Sequence, residues 1–290
     1  TVRNRGIELS VYGTPIKLKN FSWDININWT KNKSKVTKLF GDIDNIVLGS
    51  FQGSITINAS LNEPYGTIHG TDFIYTNGQR TVDEDGNYLI TPSNNNTIGN
   101  INPNWIGGIN NKFTFKGVSL SFLVDVRNGG SVFSTDMYYA LAGGLYEETA
   151  GDNDLGNPIR DPLTNDATSG GIIREGVTED GKTNTIRASV ADYGEFDSYV
   201  SAPDRRFVYD AGYVKLREAA IGYSLPQKIF EKSIIKGVSI SVVGRNLWII
   251  HKNLPYADPE DGFSSGNLQG IQTGTYPAVR SIGVNATVKF

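Results

Sequence analysis

The chain has 290 residues, a net charge of −3 and no cysteine, and 38% of it is hydrophobic. That charge argues against an electrostatic nucleic-acid binder, and the absence of cysteine removes disulfide frameworks and thiol chemistry. There is no run of 18 apolar residues, which excludes helical membrane spans but not spans made of strands.

The first residues, Thr1-Val2-Arg3-Asn4-Arg5-Gly6, hold no apolar leader core. Export across a membrane needs one. A barrel reading therefore carries the expectation that this is the mature carboxy-terminal part of a longer protein. Ile7, Leu9 and Val11 alternate with Glu8, Ser10 and Tyr12. Phe21, Trp23, Ile25, Ile27 and Trp29 then alternate with Ser22, Asp24, Asn26, Asn28 and Thr30. Side chains alternate faces along a strand, so each segment has one apolar and one polar surface. The second run reaches the ~9–11 residues of a tilted membrane strand, and its two tryptophans suit an aromatic girdle.

Strands are expected near 5–13, 20–31, 107–116, 117–127, 212–223, 237–247 and 279–290. In the fourth, Val118, Leu120, Phe122, Val124 and Val126 oppose Ser119, Ser121, Leu123, Asp125 and Arg127. The fifth is ambiguous, because Lys215 and Arg217 share a face with Ile221 and Tyr223, and a bulge would resolve it. Connections alternate short (Thr14 to Lys19, Lys116-Gly117, Ser224 to Lys236) and long (roughly 32–106, 128–211 and 248–278). Outer-membrane barrels show this asymmetry, whereas a soluble domain seldom needs such long loops. Residues 53–60 and 65–75 read as a further pair inside the first excursion, and Met137 to Gly144 as a short helix in the second.

The final ten residues alternate without interruption. Ile282, Val284, Ala286, Val288 and Phe290 face one way, and Ser281, Gly283, Asn285, Thr287 and Lys289 the other. The terminal aromatic Phe290 reads as an assembly signal for a closing strand. The fold class is thus all-β, a transmembrane antiparallel β-barrel with long extracellular loops. The alternative is a soluble secreted carbohydrate-binding β-sandwich.

Several stretches resemble the SusC/RagA family of TonB-dependent outer-membrane transporters. Gly99-Asn100-Ile101-Asn102-Pro103-Asn104-Trp105-Ile106-Gly107-Gly108 and Tyr213-Val214-Lys215-Leu216-Arg217-Glu218-Ala219 are similar to its late-barrel pattern. So are Gly244-Arg245-Asn246-Leu247-Trp248, Asp258-Pro259-Glu260 and Gly274-Thr275-Tyr276-Pro277. The resemblance implies a 22-stranded barrel with an amino-terminal plug, of which residues 1–290 are the carboxy-terminal portion. It also implies TonB coupling through the plug, a SusD-like surface lipoprotein as partner, and import of oligosaccharides or peptides at the bacterial outer membrane.

Expected lumen-lining residues are Asp24, Asn26, Asn28, Asp125, Arg127, Asn285 and Lys289. Loop aromatics Tyr138, Tyr139, Tyr146 and Tyr276 suit sugar stacking, and equally the membrane interface or a lid contact. Histidine occurs only at His69 and His251, in or beside loops and without a catalytic signature, so no enzyme is expected. No cofactor is expected either. Asp83-Glu84-Asp85-Gly86-Asn87 and Asp152-Asn153-Asp154-Leu155-Gly156 are partial calcium loops without the terminal bidentate glutamate, leaving loop-bound calcium as the one exception.

Overall fold

The computed structural model describes residues 1–51, 55–262, 266 and 269–290. It begins with two long strands, β1 (Val2–Lys17) and β2 (Phe21–Val36). A first excursion follows, with β3 (Asn45–Phe51), β4 (Ile55–Ser60), β5 (Thr67–Gly70), β6 (Tyr75–Thr76), β7 (Gln79–Val82) and β8 (Asn96–Asn100). Strands β9 (Trp105–Phe115) and β10 (Val118–Asn128) make the next long hairpin. The second excursion holds β11 (Ser131–Ser134), helix α1 (Thr135–Ala140), β12 (Ile172–Ile173), β13 (Val177–Thr178), β14 (Arg187–Ala188) and β15 (Val208–Asp210). Long strands β16 (Tyr213–Ser224) and β17 (Gly237–Lys252) lead to a third excursion with β18 (Ile271–Gln272), and β19 (Ser281–Lys289) comes last.

The seven long strands are the seven expected from the sequence. They form one antiparallel sheet in the order β1-β2-β9-β10-β16-β17-β19, with the excursions inserted between successive hairpins. Within this chain the sheet stays open, with β1 and β19 at its edges.

The register lines up an apolar face across the sheet. Ile27 pairs with Ile109, Ile109 with Val124, Leu120 with Ile221, Ile221 with Val242, and Val242 with Val284. This face is uncovered: Ile221 is 57% exposed, and Ile282 and Val284 are each 73% exposed. A β-sandwich would bury such a face under a second sheet. Aromatics border the aliphatic band at both ends. Trp29, Trp105 and Trp248 lie toward the excursions, and Phe21, Trp23, Phe113, Phe115 and Tyr223 toward the short turns. Trp23 stacks on Phe113 at 5.8 Å and donates its indole N–H to Asn111 Oδ1 at 3.0 Å. That bond satisfies a polar side chain standing on the apolar face.

The expected irregularity in the fifth long strand is present. The β10–β16 ladder shifts between Leu123/Val124, where Leu123 faces Glu218 and Val124 faces Leu216. The same offset recurs against β17. One extra residue reverses the facing of everything beyond it. Ile221 and Tyr223 therefore stay with the apolar face, while Lys215 and Arg217 turn to the polar one.

The short turns share one end of the sheet and are stitched together. Lys116 N–H donates to Asn20 O at 3.1 Å, Ser224 N–H to Gly117 O at 2.8 Å, and Lys236 N–H to Lys289 O at 2.6 Å. The tightest turn has positive φ at both Lys116 (46°) and Gly117 (90°). This handedness matches the twist of the flanking strands.

Sequence reading treats the long connections as loops; the structure shows them folded. Of the pair expected at 53–60 and 65–75, residues 53 and 54 lie outside the described residues. The rest form β4 and β5, which belong to a separate four-stranded sheet, β3-β4-β5-β8, and not to the long-strand sheet. The expected helix at 137–144 is shorter and earlier, Thr135–Ala140, because Ser134 caps it by accepting the Met137 N–H at 3.2 Å. One core unites all three excursions. Ile55, Ile57, Ile68 and Ile98 come from the first, Phe133, Met137, Leu141, Ala202 and Phe207 from the second, and Ile271 from the third. Long polar loops cannot be read as a packed body from local periodicity, since their few apolar residues meet only in three dimensions.

Candidate functional site

The densest polar arrangement sits where β10 and β16 meet the third excursion. Lys215 is 4% exposed. Its Nζ donates to Asp258 Oδ1 at 2.5 Å and to Glu260 Oε2 at 2.6 Å. Arg217 reaches two carboxylates at once. Its Nε and Nη2 donate to Asp125 Oδ2 at 2.8 and 2.7 Å, its Nη1 donates to Glu260 Oε2 at 2.7 Å, and Nη2 also bonds Glu260 Oε1. The Tyr213 hydroxyl donates to Glu260 Oε1 at 3.2 Å and to Asp125 Oδ2 at 3.3 Å.

Two cations against three carboxylates make a closed network in which every buried side-chain polar atom has a partner. Burial alone would raise the Glu260 carboxyl, but hydrogen bonds from Arg217 and Lys215 prevail and hold it down at about 2. The bulge in β16 makes this possible by turning Lys215 and Arg217 to the face that carries Asp125, while Asp258-Pro259-Glu260 presents two carboxylates two residues apart. The network fastens the third excursion to the polar face of the sheet. Beside it lies a cavity of about 390 Å³ lined by Lys215, Arg217, Leu247, Ile249, Lys252 and Tyr256, among others.

The seven sequence-predicted residues share the polar face but do not converge. Asp24 accepts from Thr14 Oγ1 at 2.6 Å and Asn28 from Ser10 Oγ at 2.5 Å, both near the β1 edge. Asn26 stands between them opposite Tyr12. Asn285 and Lys289 pair with Ser241 and Gly237 at the other edge and are exposed. Asp125 joins the network through Arg217 and Tyr213. Arg127 is covered by the excursions, 8% exposed, and its Nη2 braces Ile101 O at 2.7 Å. Phe290 is 79% exposed.

Tyr213, Lys215, Arg217, Asp258 and Glu260 were not among the predicted site residues. The available signals were the facing conflict in the fifth strand and the carboxylates flanking Pro259. The loop aromatics divide. Tyr138 is packed against Phe133, Phe207 and Tyr199, and Tyr146 stacks on Tyr256 at 4.0 Å, so both are engaged internally. Tyr139 is 43% exposed and Tyr276 fully exposed.

His69 is buried between Thr67 and Thr97. Burial lowers its pKa, and Glu63 opposes that shift. His251 lies apart, against Asn253. In the two acidic loops, Asp83 Oδ1 accepts the backbone N–H groups of Asp85 and Asn87, and Asn153 Oδ1 accepts those of Leu155 and Asn157. Among the described residues no group of three or more His, Asp or Glu is arranged to hold a metal ion.

Comparison with known proteins gives the frame for this geometry. No family model matches the chain. Across its whole length the chain is 25% identical to TonB-dependent receptor P3 of Formosa agariphila, covering 29% of that protein. It is 22% identical to TonB-dependent receptor SusC of Bacteroides thetaiotaomicron, covering 26% of it. Superposition on the RagAB peptide importer in its open-open state gives a TM-score of 0.66 at 18% identity, covering all of this chain and 29% of that one. The chain is SusC/RagA-like. It spans less than a third of the length of the curated relatives it matches. The expected all-β barrel architecture agrees with these neighbours, the seven-stranded sheet being an arc of wall. The relatives are named as receptors, not as enzymes.

Proposed function

We propose that this chain forms wall and outer loops of a TonB-dependent outer-membrane nutrient importer. Its plug and remaining strands, completing a 22-stranded barrel, would lie elsewhere in the full protein. The observation that carries this reading is the unbroken apolar face across seven strands, bordered by aromatics at both ends and backed by a polar face. Lipid is the solvent such a surface fits. Asp24, Asn26, Asn28, Asp125, Asn285 and Lys289 then line the lumen or meet the plug, and Arg127 braces the rim. The folded excursions stand outside the cell beneath a SusD-like lipoprotein. Cargo is an oligosaccharide or a peptide, and the RagAB likeness favours a peptide.

Because the chain has no cysteine of its own, single cysteines carrying nitroxide labels test the facing directly in the full receptor. Labels at Leu120, Ile221 and Val242 are expected to be relaxed by lipid-soluble oxygen, and labels at Ser119, Ser121 and Asn285 by a water-soluble nickel complex. The reverse pattern, or equal accessibility, would sink the barrel reading. In the same receptor Leu120→Arg is expected to cost about 2–4 kcal/mol in urea titration of folding into bilayers, while Ser121→Arg costs much less. Uptake of labelled peptide that persists without TonB would count against the energised importer.

A further inference from the structure

The short-turn end of the sheet is rich in positive charge. The three short turns and the residues flanking them carry Lys17, Lys19, Lys116, Lys228, Lys232 and Lys236 against a single acid, Glu231. All six lysines are exposed, and none enters an ion pair among the described residues. The chain as a whole is net negative, and a second basic group, Arg3, Arg5, Lys31, Lys33, Lys35 and Lys38, lies at the other end of β1 and β2, away from the groove described below. The short-turn group is continuous, because the hydrogen bonds from Lys116 to Asn20, Ser224 to Gly117 and Lys236 to Lys289 join the turns into one rim. Apolar side chains are interleaved with the lysines: Leu18 is 67% exposed, Ile229 62% and Ile234 78%.

Above this rim, on the apolar face, runs a groove of about 420 Å³. It is lined by Val118, Ile221, Tyr223, Leu225, Ile240 and Val242. Tyr223 and Leu225 bring it to the edge of the turn that carries Lys228, Lys232 and Lys236.

We infer that the short-turn rim is a docking collar for anionic phospholipid. The lysine ammoniums would hold the headgroup phosphate while an acyl chain lies in the groove between β16 and β17. Two features select this occupant. Charge complementarity calls for an anion, because six unpaired ammoniums on flexible stems attract phosphate without demanding a fixed geometry. The apolar groove directly above calls for a hydrocarbon tail, and lysine suits the boundary between the two by laying its methylenes along apolar surface. A soluble anion would leave the groove unused, and a neutral lipid would leave the lysines unused. The exposed Leu18, Ile229 and Ile234 would enter the interfacial layer beside them. The inference rests on the barrel reading above, with the short turns in the inner leaflet.

The test is native mass spectrometry of the full receptor taken from nanodiscs containing equal amounts of phosphatidylglycerol and phosphatidylcholine. Wild type is expected to retain phosphatidylglycerol at least about tenfold over phosphatidylcholine. Triple replacement of Lys228, Lys232 and Lys236 by glutamine should abolish most of that preference. The same change at Lys33, Lys35 and Lys38, at the opposite end of β2, should preserve it. A collar variant that keeps the wild-type preference, or a wild type with none, overturns the proposal. Heat-modifiable migration of each variant shows that the barrel has formed. The nitroxide pattern on the same preparation separates the outcomes: lipid-facing labels without phospholipid preference refute the collar alone, and labels that do not face lipid refute the barrel itself.

Discussion

Replacing Lys215 by methionine is expected to destabilise the folded receptor by about 3 kcal/mol, because it leaves two carboxylates facing each other without their shared cation. Removing one partner of a buried ion pair costs far more than the pair itself contributes, roughly 3–5 kcal/mol. Arg217 still serves Glu260, so the lower end applies. The same network predicts an acid dependence whose sign follows from Glu260. Its carboxyl is held at about 2, below the ordinary 4.5. A depressed carboxylate stabilises the fold above its unfolded pKa and loses that contribution as pH falls toward its folded one. Stability should therefore be full above pH 4.5 and decline as the pH falls from there toward 2. Urea unfolding followed by tryptophan fluorescence at pH 7, 4 and 3 checks both statements. Glu260→Gln should begin lower at pH 7 and show a flatter decline. Parallel slopes for wild type and variant would remove Glu260 from the account.

Phe133→Ala should have an effect of similar size in a different place. Phe133 is fully buried and meets Phe51, Tyr138 and Phe207 at centroid distances of 6.0, 5.4 and 6.1 Å. Truncating a buried phenylalanine costs about 3–5 kcal/mol, through lost transfer energy and the cavity left behind. The loss should fall on the excursions, since the long-strand sheet takes nothing from this core. Hydrogen exchange is expected to quicken in β4, β5, β11 and α1 while β10 and β16 keep their protection. Loss of protection along the long strands as well would show that the wall depends on the loop body.

These features were unequally legible in the sequence. The long strands could be found because alternation with period two is a local signal, repeated over nine or more residues in Phe21–Trp29 and Val118–Arg127. The β16 bulge was visible as a conflict, with lysine and arginine on the wrong face. Its solution required the neighbouring ladder. The excursions were opaque. Ile57, Phe133, Phe207 and Ile271 sit in short apolar stretches separated by long polar runs, and nothing local says that they meet. The network was half legible, with Asp125 found from its strand and Asp258 and Glu260 noticed only as part of a motif. Arg127 illustrates the opposite limit: alternation gives a side chain its face but cannot say whether a loop lies over it.

The shared core of the three excursions has a mechanical consequence. Each excursion springs from a different gap in the wall: between β2 and β9, between β10 and β16, and between β17 and β19. Since Ile57, Phe133 and Ile271 sit in one cluster, these segments cannot swing independently without tearing it. A load applied to any one of them is shared among six wall strands, and the Lys215–Glu260 clasp adds a further tether. The excursion end of this sheet should behave as a slab bolted at several points, moving as a whole or not at all.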